Sequence, residues 1–232
     1  MTALGSGHAL VMDRVYRHQR HVYDLTRKYY LFGRDRVITG LEAEPGDLVL
    51  ELGSGTGRNL IKAAKRYPEA SFFGVDISAQ MLATAAARIR RRGLEPRIRL
   101  ALADAAGFDG AALFGEPRFD RIMIAYSLSM IPAWEAVLQR ALGALAPGGR
   151  LLVVDFGRLE GWPAWCRSLL DRWLARFHVS PRTTLAEIAA ELAAARGFPC
   201  RTENLYRGYA LQLSIERPAG AASPPPATGE DR

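Results

Sequence analysis

Short apolar runs alternate with longer amphipathic stretches along most of this chain. Leu48–Leu52, Ser71–Val75, Ile98–Ala103, Phe119–Ala125 and Arg150–Phe156 are compact and rich in branched or aromatic residues, as strands buried on both faces are. The segments between them are long enough for helical crossovers, so the pattern predicts parallel strands with a helix in each connection. Ser78 stands before Ala79-Gln80-Met81-Leu82 as an N-cap, and the alanine-rich run that follows reaches a stop at Gly93. Near the end the period changes. Tyr209, Leu211, Leu213 and Ile215 alternate with Ala210, Gln212 and Ser214, and together with Thr202–Asn204 this run predicts an antiparallel pair closing the sheet.

Two segments stand outside this alternation. Asp13–Arg36 interleaves aromatic and basic residues and reads as a helical cap spanning 13–40, ahead of a core at 41–217. Gly161–His178 places Trp162, Trp165, Leu169, Trp173 and Phe177 close to one helical face, with Leu170 and Leu174 beside them and Arg167, Arg172 and Arg176 elsewhere. Such a stripe serves either a lipid headgroup layer or the protein's own core. Residues 1–12 and 218–232 are weakly patterned and are expected to be disordered.

Composition narrows the class. With 49% hydrophobic residues in 232, the chain can bury one sizeable core. It contains no uninterrupted apolar run near the ~18 residues of a membrane span, and its first residues lack a signal peptide's apolar core, so a cytosolic location is expected. Cys166 and Cys200 form no C-x-x-C pair, which argues against a zinc site or a disulfide framework. The formal charge of +7 and pI of about 9.8 favour a negatively charged partner surface, nucleic acid or anionic lipid.

The candidate chemistry lies at the strand ends. Val49-Leu50-Glu51-Leu52-Gly53-Ser54-Gly55-Thr56-Gly57 is a strand, an acid and a turn with glycine at every second position. A dinucleotide turn of the G-x-G-x-x-G type would need glycine at 58, where this chain has Arg58. The second strand ends at Asp76, near the ~20-residue offset at which an acid meets ribose hydroxyls, and the third ends at Asp104. Leu145-Ala146-Pro147-Gly148-Gly149-Arg150 turns into the fifth strand.

The E-x-G-x-G-x-G turn and the L-x-P-G-G segment resemble those of class I S-adenosylmethionine-dependent methyltransferases. The resemblance implies an α/β, Rossmann-like fold: a seven-stranded, mostly parallel sheet with an antiparallel final strand and helices on both faces. It implies S-adenosylmethionine as cofactor, with Asp76 on the ribose and Asp104 on the adenine amino group. Glu51, Gly53, Gly55, Gly57, Ile77, Met81, Ala105, Ala125 and Tyr126 would complete that site. Tyr23 and Arg27 would meet the methionine end.

Tyr16-Arg17-His18-Gln19-Arg20-His21-Val22-Tyr23-Asp24-Leu25-Thr26-Arg27, continued by Phe32-Gly33-Arg34-Asp35-Arg36, is similar to bacterial betaine-lipid N-methyltransferases of the BtaB type. What this implies is three methylations of the amine of diacylglyceryl-homoserine at the inner face of the cell membrane, an anionic bilayer surface. A functional partner would be the enzyme that transfers the 3-amino-3-carboxypropyl group to diacylglycerol. Tyr16, His18, His21, Tyr126 and Tyr206 are the candidate catalytic residues, as proton relays or aromatic faces for a growing methylammonium, with Tyr23 and Tyr209 beside them as further faces. Arg27, Lys28, Arg158 and Arg207 are candidates for the homoserine carboxylate.

Four other readings share the core: a phosphatidylethanolamine N-methyltransferase, a quinone C-methyltransferase, a nucleic-acid methyltransferase, and a noncatalytic partner of the headgroup-building enzyme. Tyr126-Ser127-Leu128-Ser129-Met130-Ile131-Pro132 after the fourth strand lacks the Asp-Pro-Pro-Tyr-like loop of base amino-methylation. No nucleic acid is therefore expected.

Overall fold

In the computed structural model, which describes residues 31–175 and 179–220, the strands fall where the apolar runs are. In chain order the elements are α1 (Arg34–Gly40), β1 (Leu48–Leu52), α2 (Arg58–Arg66), β2 (Ser71–Asp76), α3 (Ala79–Arg90), β3 (Ile98–Leu102) and α4 (Gly110–Phe114). Then come β4 (Phe119–Ala125), a 3-10 turn (Leu128–Met130), α5 (Trp134–Gly143), β5 (Leu145–Phe156), α6 (Ala164–Ala175), α7 (Leu185–Ala194), β6 (Cys200–Leu205) and β7 (Ala210–Glu216).

The sheet order is β3-β2-β1-β4-β5-β7-β6. Strands β1 to β5 pair in parallel, whereas β7 is antiparallel to both β5 and β6. Side chains alternate across each strand, so neighbouring residues enter different cores. Val49, Phe72, Leu152 and Val154 join α1 and α2 in one cluster; Leu50, Phe73, Leu151 and Val153 join α5 and α7 in the other. Burial on both faces is why these strands show no polar alternation.

Local chemistry sets the helix ends. Ser78 Oγ accepts from the Met81 amide at 3.3 Å, the expected N-cap of α3. Asp109 caps α4 by accepting from the Ala111 and Ala112 amides, and Gly115 ends it in the left-handed region.

Strand β5 starts five residues earlier than the pattern predicts. Leu145 already pairs with Phe119 ahead of a register shift, and the Pro147-Gly148-Gly149 turn is fastened to the far end of β7. There the Gly148 amide donates to the Arg217 carbonyl at 2.9 Å and the Arg217 amide to Gly149 at 2.8 Å. The described part of the 13–40 segment is packed into the body of the protein, with Leu31, Val37 and Ile38 buried. Edge strand β6 keeps Arg201 and Glu203 exposed, and Glu203 pairs with Arg36 of α1 at 2.8 Å. Charged residues on an edge discourage pairing with another chain.

The chain runs outward through β2 and β3 on one side of β1, and through β4 and β5 on the other. At the carboxyl ends of β1 and β4 these two directions part and leave a crevice, the position at which open α/β sheets take ligands.

Candidate cofactor and acceptor site

The crevice is shaped by the glycine turn. Gly53, Gly55 and Gly57 have φ of 76°, 53° and 73°. A Cβ on Gly53 would lie 2.5 Å from Ser127 Cβ, so both backbone conformation and space demand glycine there. The amides of Gly53 and Ser54 both donate to the Val75 carbonyl, at 2.8 and 3.0 Å. Asp76 holds the turn from the other side: Oδ2 accepts from the Gly55 amide at 2.7 Å and Oδ1 from the Ser78 amide at 2.9 Å.

Below the turn lies a cleft of about 200 Å³, to which Leu31, Arg34, Glu51, Gly53, Ser54, Gly55, Asn59, Arg88 and Ala125 contribute. Glu51 is 1% exposed. Its Oε1 accepts from Asn59 Nδ2 at 2.7 Å, while Oε2 has no hydrogen-bond partner; nor has the buried Ser54 Oγ. Burial pushes the Glu51 carboxyl up to about 8, against the opposing pull of the Asn59 hydrogen bond and the nearby Arg34 charge. An orphaned acceptor on a buried carboxyl is expensive unless something else completes it. A ligand ammonium would complete Glu51, and the guanidinium groups lining the cleft suit a carboxylate. The cleft therefore fits the zwitterionic end of an amino acid, which the methionine portion of S-adenosylmethionine carries.

The expected cofactor residues divide by position. Glu51, Gly53, Gly55 and Ala125 line the cleft, Gly57 caps α2, and Asp76 grips the turn. The ends of β2 and β3 are in register, Asp76 opposite Leu102, which sets half-buried Ile77 near Asp104. Asp104 is exposed and its Oδ1 accepts from the Ala106 amide at 2.9 Å. Met81 and Ala105 are buried beneath these strand ends. Tyr16, His18, His21, Tyr23, Arg27 and Lys28 lie outside the described residues.

Tyr126 is reassigned by the structure. Its ring is buried edge-on against Phe156, centroids 4.8 Å apart, and its hydroxyl donates to the Phe32 carbonyl at 2.6 Å. Burial and the Asp155 charge raise its pKa far above the ordinary tyrosine range. The side chain thus ties the N-terminal segment to β4 and carries no proton to or from an acceptor. Arg158 is likewise committed elsewhere, to the Thr183 carbonyl and Glu187. Tyr206 and Arg207 occupy the β6–β7 turn with φ of 54° and 58°, and the Tyr206 ring meets Phe32 at 5.4 Å.

Three contributors escaped the sequence reading. Arg34 lines the cleft two residues beyond Phe32, inside a stretch in which Arg27 drew the attention. Asn59 is legible only once α2 is known to turn it back on Glu51. Asp155, an acid at the end of an apolar strand, was the one available signal for the third. It is fully buried, its pKa is raised by that burial, and it accepts from the Phe156 and Ser129 amides at 2.8 and 3.1 Å. With Ser127 Oγ donating to the Leu52 carbonyl at 3.0 Å, this fixes the loop after β4 to both neighbouring strands.

Two outcomes are expected. The Glu51 carboxyl is raised in the folded state, so its contribution to stability is full below about pH 4.5 and is lost as pH rises toward 8. Glu51→Gln removes that loss, and thermal denaturation of the ligand-free protein should show the variant melting about 5–10 °C above wild type at pH 8, with the gap closing by pH 4.5. Tyr126→Phe should cost about 1 kcal/mol in denaturant unfolding, through the lost hydrogen bond, while the pH profile of turnover stays where it is.

Residues 49–149 match the methyltransferase domain family. A demethylmenaquinone methyltransferase of Thermus thermophilus is 35% identical over 140 residues, covering 58% of this chain and 60% of that protein. A phosphatidylethanolamine N-methyltransferase of Cereibacter sphaeroides is 32% identical over 133 residues, covering 57% and 60% respectively. The chain thus spans about three fifths of the length of these two relatives. An O-methyltransferase family protein from Burkholderia thailandensis superimposes with a TM-score of 0.67 at 19% identity, over 88% of this chain and 62% of that one, a likeness of fold. Residues 49–149 thus match a methyltransferase domain on a class I, Rossmann-like fold, and the cleft around Glu51 fits the S-adenosylmethionine that such domains bind.

Proposed function

We propose that the protein methylates the amine of a membrane lipid headgroup, and that this lipid is diacylglyceryl-homoserine, converted in three steps to its trimethylated betaine form. The observation that carries the reading is the group of aromatic side chains beside the cofactor cleft. Phe32 packs against Tyr206 and Tyr209 with ring centroids 5.4 Å apart in each case, and Trp162 lies 6.3 Å from Tyr209. Leu31, the neighbour of Phe32, lines the cleft itself. Aromatic faces stabilise a desolvated cation by about 0.5–2 kcal/mol each and tolerate bulk, which an amine gaining methyl groups requires.

Bound S-adenosylmethionine supplies an activated methyl group and a neutral thioether as leaving group. The residues of this chain have the task of placing an amine lone pair in line with it, an effect worth about 7–11 kcal/mol. An α-amine titrates near 8, so losing its proton at neutral pH costs on the order of 1 kcal/mol. With Tyr126 committed to Phe32, the described side of the site offers no strong base, and an amine needs none. The named activity of the Cereibacter relative supports a lipid amine as acceptor. The N-terminal likeness at Tyr16–Arg36 favours the homoserine headgroup over ethanolamine. Such an enzyme would work from the cytosolic side of the membrane, beside the enzyme that builds the homoserine headgroup.

The Thermus relative supports a second reading, C-methylation of a quinone precursor. To decide between them, purified protein is incubated with methyl-labelled S-adenosylmethionine and, separately, diacylglyceryl-homoserine, phosphatidylethanolamine or demethylmenaquinone in detergent micelles. Label should enter diacylglyceryl-homoserine fastest, with mono-, di- and trimethylated products in sequence. Transfer to the quinone alone would refute an amine acceptor, and preference for phosphatidylethanolamine would refute the homoserine assignment.

A further inference from the structure

Helix α6 divides the apolar stripe of residues 161–178 between two environments. Leu174 is buried, and Leu170 and Trp173 pack against the core cluster beneath the sheet. Trp165 and Leu169, one turn apart, stay on the outside at 70% and 57% exposure. Trp162, also exposed, precedes the helix and donates from Nε1 to the Tyr206 carbonyl at 3.4 Å. Tyr206 in turn meets exposed Phe32. Trp165 and Leu169 on α6, and Trp162, Tyr206 and Phe32 near the N-terminal edge of the cofactor cleft, are thus five large apolar or aromatic side chains exposed on the surface.

Exposed apolar side chains of this size mark a contact surface, and their residue types narrow what covers it. Tryptophan and tyrosine combine an apolar body with a polar edge and concentrate where hydrocarbon meets headgroups. The chain as a whole carries a formal net charge of +7, which favours an anionic surface. Among the described residues no helix is long and apolar enough to cross a membrane.

We infer that Trp162, Trp165, Leu169, Phe32 and Tyr206 form the face by which the protein sits in the headgroup layer of an anionic bilayer. The inference rests on the aminolipid reading for its purpose: seated this way, the acceptor side of the cleft opens at headgroup depth, and a lipid amine reaches it without leaving the membrane. The chain's net positive charge draws it to anionic headgroups while Trp165 and Leu169 enter the acyl boundary.

The test uses the full chain and the double variant Trp165→Ser/Leu169→Ser, whose positions are exposed and outside the cofactor cleft. Flotation with vesicles of equal parts phosphatidylglycerol and phosphatidylcholine should show wild-type binding that weakens with salt, and at least tenfold weaker binding by the variant. The variant should keep the wild-type melting temperature, and its methylation of short-chain, monomeric aminolipid should be unchanged while that of vesicle-embedded aminolipid falls. Equal vesicle binding by the two proteins, or none by wild type, overturns the inference. So does a variant that converts a wild-type dimer to monomer in sedimentation, since a second copy would then be what covers this face. Vesicle binding is read without turnover, so a protein that binds through these residues yet methylates no aminolipid would refute the substrate reading and leave the docking face standing.

Discussion

A carboxyl buried beneath a glycine turn is the constraint on which the site is organised. Glu51 sits at the end of β1, closed off from water, with one oxygen satisfied by Asn59 and the other left without a partner. Around it the backbone must reverse direction in very little space. Gly53 passes against Ser127, and Gly55 is held by Asp76. Asp76 and Glu51 therefore do different work: the first fixes the turn, while the second stores an unsatisfied acceptor that a cationic ligand completes. The arrangement costs stability in the empty protein, and a bound ammonium would return that cost as affinity.

The same economy explains the acceptor side. The loop after β4 holds only a 3-10 turn, and it is tied down by Ser127 to β1, by Ser129 to the buried Asp155, and by Tyr126 to the chain entering α1. A rigid loop of this kind serves in-line transfer, in which geometry contributes more than acid–base chemistry. Tyr126 shows how the two demands meet. Its burial makes it useless for moving protons and effective as a strut.

Much of this was legible in the sequence because strands buried on both faces leave unbroken apolar runs, and their ends carry acids at nearly regular intervals. Glu51, Asp76 and the three glycines were found that way. Strand β5 was read short because its first residues pair through the backbone of a Pro-Gly-Gly turn, which leaves no hydrophobic signature. Arg34 and Asn59 carry no such signal, and Asp155 shows only as an acid at a strand end: Asn59 meets Glu51 only because α2 turns it back, Asp155 on β5 meets Ser129 in the loop after β4, and Arg34 reaches the cleft only through the fold of the segment before α1. The apolar stripe of α6 was visible as a stripe, yet its division into inner and outer halves depends on where the core lies. A wheel cannot distinguish Trp173 from Trp165; packing does.

Proton release on cofactor binding tests the account most directly. Titration calorimetry of S-adenosylmethionine into the protein at pH 7, in buffers of different ionisation enthalpy, counts the protons exchanged. A Glu51 carboxyl held near 8 is mostly protonated in the empty site and ionised beside a bound ammonium, so release should approach one proton per cofactor and vanish in Glu51→Gln. Binding with no proton release, or the same release from the variant, would contradict the role given to Glu51.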